Sequence, residues 1–249
     1  MELINSCVLG IDAAWTAHHP SGVALVQRTT TGWSCLAVAT SYEAFMAQAS
    51  VRAWDPGQKV TGSRPDPSAL MQASKQLTGA EVSCVTVDMP LATTPITSRR
   101  AADTAISSRF GPRGCAVNST SAERPGAIAD QLRADFAALG YPLHTCGSDP
   151  AAHALIECYP HVALLALLQR DYRVPYKVSR SGQYWNAEKL TRSERIARLL
   201  EQFQAIKAGL DQHINGIPEF IPKPSEVTTL ASLKPVESKP LAWSVVDQA

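Results

Sequence analysis

Three carboxylates stand at the ends of short apolar runs. Asp12 follows Cys7–Ile11, Asp88 follows Val82–Val87, and Glu157 follows His153–Ile156. A carboxylate that ends a buried strand costs free energy unless it is hydrogen-bonded, paired or metal-bound. Three of them on separate strands can converge at one edge of a sheet, the edge where α/β proteins bind ligands. Clustered oxygens repel one another, and a hard divalent cation relieves that repulsion. Mg²⁺ or Mn²⁺ held by Asp12, Asp88 and Glu157, its shell completed by water and phosphate oxygens, could activate water against a phosphodiester. In the plain alternative each Asp is a turn or cap residue.

Phosphate chemistry also needs cations. Arg99, Arg100, Arg109, Arg113 and Arg124 all fall in or near the stretch after Asp88. A guanidinium fork suits phosphate, so Arg100, Arg109 and Arg113 are expected to approach the acids and hold a substrate phosphate. The competing reading is a solvated helix face, or for Arg100 a pair with Asp103 at i, i+3. Trp15, just beyond Asp12, could stack a base or cover the core. His18 and His19 read as loop residues, and His144, His153 and His161 have no partner spacing. Ser119, Thr120 and Ser121 lack the setting of a nucleophile elbow. No Walker loop occurs around Gly57 or Gly62.

The elements that must position these residues follow from periodicity and turn residues. The first run leads into a meander with strands over Gly22–Gln27 and Trp33–Ala39, separated by turn formers. Ser41 can cap a short helix reaching Ala49. Asp55–Pro67 reads as a loop and Ser68–Leu77 as a helix before the Val82 strand. Further helices are expected over Ser98–Phe110, Ala127–Leu139 and Val162–Leu168, with a long amphipathic one over Asn186–Ala208. The order is that of an α/β protein: an antiparallel meander plus two parallel strands, five in all, flanked by helices. The whole chain, 1–249, reads as one domain with a helical and loop insert at about 92–145. An irregular, Pro-rich tail follows from about 218.

Composition narrows the class. The 249 residues are 45% hydrophobic and 18% charged, which is globular rather than disordered. Net charge is +1, without the basic excess common in nucleic-acid binders, although a local basic rim can serve. The six cysteines form no C-x-x-C pair, which argues against structural zinc. No run is long enough to span a membrane and the N-terminus lacks signal-peptide character, so a reduced cytoplasmic protein is expected.

Five segments taken in order resemble a known family. They are Gly10-Ile11-Asp12, Val87-Asp88-Met89-Pro90-Leu91, the stretch from Arg100-x-x-Asp103 to Arg109-x-Gly111, Arg124-Pro125-Gly126, and Ile156-Glu157-Cys158-Tyr159-Pro160. The family comprises predicted RNase H-like nucleases and is catalogued as a domain of unknown function (family 429). The similarity runs from about residue 7 to Lys177 and more loosely to about Leu233. It implies an RNase H-like fold, carries the acidic, metal-binding and catalytic roles onto Asp12, Asp88 and Glu157, and gives Lys177 a phosphate role. An exposed loop lysine is the alternative there. The family tends to close with an Asp- and Ala-rich helix. Here Leu233–Leu241 contains Pro235 and Pro240, which argue against a helix, and Glu237 and Asp247 are the candidate closing acids.

Three functions compete at this point. The first is a divalent-metal nuclease. The second is a non-catalytic RNase H-like module that binds nucleic acid or a protein. The third is a phosphotransferase of the actin and sugar-kinase type, which shares the Gly10-x-Asp12 strand start but needs a second glycine-rich phosphate loop that this sequence lacks. Nucleic acid is the expected partner of the first, a membrane is not, and a homodimer is possible.

Overall fold

The computed structural model describes residues 6–50, 60–145 and 153–218. Part of the expected Asp55–Pro67 loop lies outside them, as do Cys146 and the 219–249 tail with Glu237 and Asp247.

Strands β1 (Cys7–Asp12), β2 (Gly22–Thr29) and β3 (Gly32–Ala39) form the expected antiparallel meander. Beside β1 lie β4 (Val82–Val87) and then β5 (Ala154–Glu157), both parallel to their neighbour. Parallel neighbours require crossovers, and the intervening helices provide them. The sheet has six strands rather than five, in the order β5-β4-β1-β2-β3-β6. The added β6 (Ile214–Asn215) runs parallel to β3 at Trp33 and Ser34. Two residues are too few to carry an alternating pattern, so nothing in the sequence announced it.

Seven α-helices occur among the described residues: α1 (Tyr42–Gln48), α2 (Pro67–Thr78), α3 (Ala101–Phe110), α4 (Ala127–Ala138), α5 (Pro160–Leu167), α6 (Ser181–Tyr184) and α7 (Arg192–Asp211). The Ser41 hydroxyl caps α1 as expected, accepting from the Ala44 N–H at 3.1 Å. Asp66 caps α2 by accepting from the Ala69 N–H at 3.0 Å, with Pro67 in the first turn where its missing N–H costs nothing. Asp66→Ala should therefore cost about 1 kcal/mol, read as a lower urea midpoint at unchanged m-value.

The long C-terminal helix begins later than its apolar stripe suggests. Asn186–Glu188 make a single 3-10 turn, and Lys189 follows at φ 52°. Helix α7 then starts on a capping box in which Thr191 and Glu194 bond each other's backbone N–H groups. Thr191-x-x-Glu194 was a start signal that the hydrophobic spacing overshadowed.

Two apolar clusters hold the fold. The larger joins Leu9, Ile11, Leu25, Val85, Val87 and Leu155 of the sheet to Phe45 of α1, Leu70 of α2, and Leu132 and Phe136 of α4. The smaller joins Leu164 of α5, Val174, Tyr176 and Val178 of the following loop, and Ile196, Leu199, Phe203 and Ile206 of α7. No helix among the described residues is long and apolar enough to cross a membrane.

Candidate active site

Asp12, Asp88 and Glu157 come to the same edge of the sheet, and the strand register decides how they face. Ile11 pairs with Val87, and Val87 pairs with Glu157. The ladder continues one step further: the Asp88 N–H donates to the Ile11 carbonyl at 2.8 Å, and the Cys158 N–H to the Val87 carbonyl at 2.9 Å. Successive residues of a strand point to opposite faces. Asp12, Asp88 and Cys158 thus form one row, whereas Glu157 belongs to the row of Ile11 and Val87. The three acids end their strands together, but Glu157 starts from the opposite pleat face.

All three carboxylates line one cleft of ≈ 460 Å³. Burial pushes the Asp88 carboxyl up to about 6, with Lys177 pulling it down and Glu157 pushing it up. The Cys158 thiol is pushed up to about 12, by burial first and then by Asp88, Asp12 and Glu157. Such a thiol stays protonated and is not a nucleophile. Its shift shows that all three carboxylates act on one point.

Glu157 is held by Arg100. The guanidinium grips it in a bidentate fork, Nη1 to Oε2 at 2.6 Å and Nη2 to Oε1 at 2.7 Å. Oε2 also accepts from the Leu91 N–H at 2.9 Å. The same guanidinium donates to Asp103 through Nη2 at 2.6 Å and Nε at 3.1 Å, and to the Leu91 carbonyl through Nη1 at 2.6 Å. An arginine has five side-chain N–H donors, and these five contacts use all of them. The side chains of Arg100 and Asp103 are only 15% and 4% exposed, and Glu157 is 33% exposed. The Thr120 hydroxyl adds a bond to Asp103 at 3.1 Å. Burial works to raise the Asp103 carboxyl, but the bonds from Arg100 prevail and hold it below its ordinary value.

This geometry sorts the expected substrate-binding residues. Arg100 reaches the cleft, but as the partner of Glu157 and Asp103, with no donor left for a phosphate. The i, i+3 pair read from the sequence is present. Arg109 is exposed over the Phe110 ring at 5.8 Å and does not line the cleft. Arg113 turns away: its Nε donates to the Asp171 carbonyl at 2.9 Å and its Nη2 to the Arg170 carbonyl at 2.7 Å. These two bonds hold the side chain on the 170–171 segment, and it does not line the cleft. Lys177 does line the cleft, and its charge acts on Asp88. Trp15 packs on the main core, one of the two parts expected of it, and it also lines the cleft, with Arg124 5.5 Å over its ring.

Arg173 and Arg180 also line the cleft and were missed. Their spacing with Lys177, at 173, 177 and 180 after the Glu157 strand, was the available signal. His161 joins them from α5. Arg173 Nη2 lies 2.7 Å from His161 Nε2. Arginine can only donate, so Nε2 accepts and the proton sits on Nδ1. Burial pushes this imidazole down to about 3, helped by Arg173, Lys177 and Arg180, so it is neutral at physiological pH.

Among the described residues no group of three or more His, Cys, Asp or Glu side chains is arranged to hold a metal ion. Glu157 is in addition engaged by the Arg100 fork. Asp12 and Asp88, which line the cleft, are the residues that would hold a hard cation such as Mg²⁺, the rest of its shell being water and phosphate.

A family model described as a protein of unknown function (DUF429) matches residues 10–217. No curated protein and no solved structure matches.

Proposed function

We propose, for a chain that belongs to the DUF429 family, that the cleft hydrolyses phosphodiesters with the help of a divalent cation held by Asp12 and Asp88. The observation that carries this reading is the pairing, in one cleft, of an acidic floor with a cationic wall of Arg173, Lys177 and Arg180. Mg²⁺ or Mn²⁺ would supply the positive charge that attacking and leaving oxygens need. The chain's own groups supply orientation: Lys177 and the two arginines would draw the phosphate against the acids, and Trp15 offers a ring at the cleft mouth. Glu157 would act by fixing Arg100 and the insert. The strand order, a meander with two parallel strands beside β1, supports an RNase H-like reading of the fold.

The test is cleavage of single- and double-stranded DNA and RNA by the full chain with Mn²⁺. Asp12→Asn should lower the rate by about a hundredfold or more. Absence of cleavage on every substrate, or a rate untouched by Asp12→Asn, would overturn the proposal. A second reading, binding without turnover, draws on the Arg100 fork that occupies Glu157. It expects salt-dependent binding of nucleic acid and no products.

A further inference from the structure

The cationic wall has a feature that hydrolysis alone does not require. His161 is 8% exposed, and its Nδ1, which carries the proton, is buried without a hydrogen-bond partner. Arg173, which donates to the other ring nitrogen, has an Nε that is likewise buried and unpartnered. Buried donors are seldom left orphaned, because each costs its desolvation without return. Here both belong to residues that line the cleft and are joined by the 2.7 Å contact of Arg173 Nη2 with His161 Nε2, and Lys177 and Arg180 line the same cleft. Arg173 and Arg180 add positive charge to a cleft whose acids are Asp12, Asp88, Asp103 and Glu157, the last two shared by Arg100.

From this we infer that His161, Arg173, Lys177 and Arg180 form a seat for a terminal phosphate monoester, so that the ligand is a short, phosphate-ended nucleotide chain. A terminal phosphate brings close to two negative charges and three strong acceptor oxygens, enough to meet several donors at once. An internal diester brings one charge. The cleft's ≈ 460 Å³ suits a ligand of one or two nucleotides. A duplex is gripped along an extended basic surface, which a net charge of +1 does not suggest. The inference rests on the hydrolase reading for the bond that is cut, but not for the seat.

Calorimetry on the full chain in EDTA separates the two. The probes are inorganic phosphate, dithymidine dinucleotide with a 5′-phosphate, and the same dinucleotide without it. The phosphorylated form should bind about tenfold tighter or more, the value of one charge-assisted contact, and inorganic phosphate should compete with it. Arg180→Ala, an exposed residue whose loss leaves the fold intact, should remove most of that preference, and Arg173→Ala should remove it too. Equal affinity for the two dinucleotides, or a preference that survives both substitutions, overturns the seat. If the preference is found but Mn²⁺ yields no cleavage, the seat stands and the hydrolase reading falls. Tighter binding of a duplex than of the phosphorylated dinucleotide counts against the seat.

Discussion

Asp88→Asn should make the metal-free protein more stable at pH 8, by about 2 kcal/mol, while abolishing Mn²⁺-dependent cleavage. The Asp88 carboxyl rises from 3.8 to about 6 on folding, chiefly through burial. The difference, 6 − 3.8, corresponds to a charge penalty on the order of 3 kcal/mol, which contact with cleft water reduces. The sign follows from proton binding. Below pH 3.8 both states hold the proton and the residue contributes nothing. Between 3.8 and 6 the folded protein keeps a proton that the unfolded chain has lost, so stability falls as pH rises. Above 6 the full penalty is present. Urea melts in EDTA should show that fall in the wild type and not in Asp88→Asn. Added Mg²⁺ should raise the melting temperature of the wild type and leave Asp88→Asn unmoved, because only a ligand held by the folded state stabilises it. A variant that is less stable than wild type at pH 8 would mean that Asp88 is paired for structure and not kept for a ligand.

Arg100→Ala should destabilise the protein by about 3 kcal/mol, a fall of roughly 6–12 °C in melting temperature for a chain of this size. Removing one partner of a buried ion pair strands the other, and here it strands two, Asp103 and Glu157. The deficit has its own pH signature. Asp103 is held below its ordinary value in the folded protein, so its contribution is present above the unfolded pKa and lost as pH falls through the folded one. In Arg100→Ala the stranded Asp103 takes up its proton more readily, and the gap from wild type should narrow below about pH 4. Glu157→Gln, which keeps an acceptor for the Arg100 fork, should cost less than Arg100→Ala. A loss below about 1 kcal/mol in thermal melts of Arg100→Ala would show that the network behaves as an exposed one.

How much of this could be read beforehand depended on which interactions are local. Asp12 and Asp88 could be placed because each directly follows a continuous apolar strand, and parallel strands joined by helical crossovers bring such ends together. The meander could be placed from its turns. The facing of Glu157 could not: Ile156-Glu157-Cys158 looks the same at either register, and only pairing across β4 fixes which residue joins the row of Asp12 and Asp88. The saturation of Arg100 also escaped notice, since Asp103 is three residues away but Glu157 is 57. The roles of Arg109 and Arg113 were inferred from proximity in sequence to Asp88. Neither Arg109 nor Arg113 lines the cleft, whereas Arg124, Arg173, Lys177 and Arg180 do, three of them from beyond β5. Helix α7 was read too long because an apolar stripe persists through a 3-10 turn whose backbone cannot continue the helix.

The single-residue offset at the end of β5 has a consequence for how such a protein can vary. Asp12 and Asp88 answer to whatever enters the cleft, whereas Glu157 answers to Arg100 and Leu91 and so keeps the 92–145 segment moored to the sheet. Substitutions in the first set change the charge of the cleft and leave the mooring untouched. Substitutions in the second can loosen the segment while the acidic pair stands. Two inherited traits, the charge of the cleft and the hold on the segment that lines it, are thereby able to drift separately along the same strand edge.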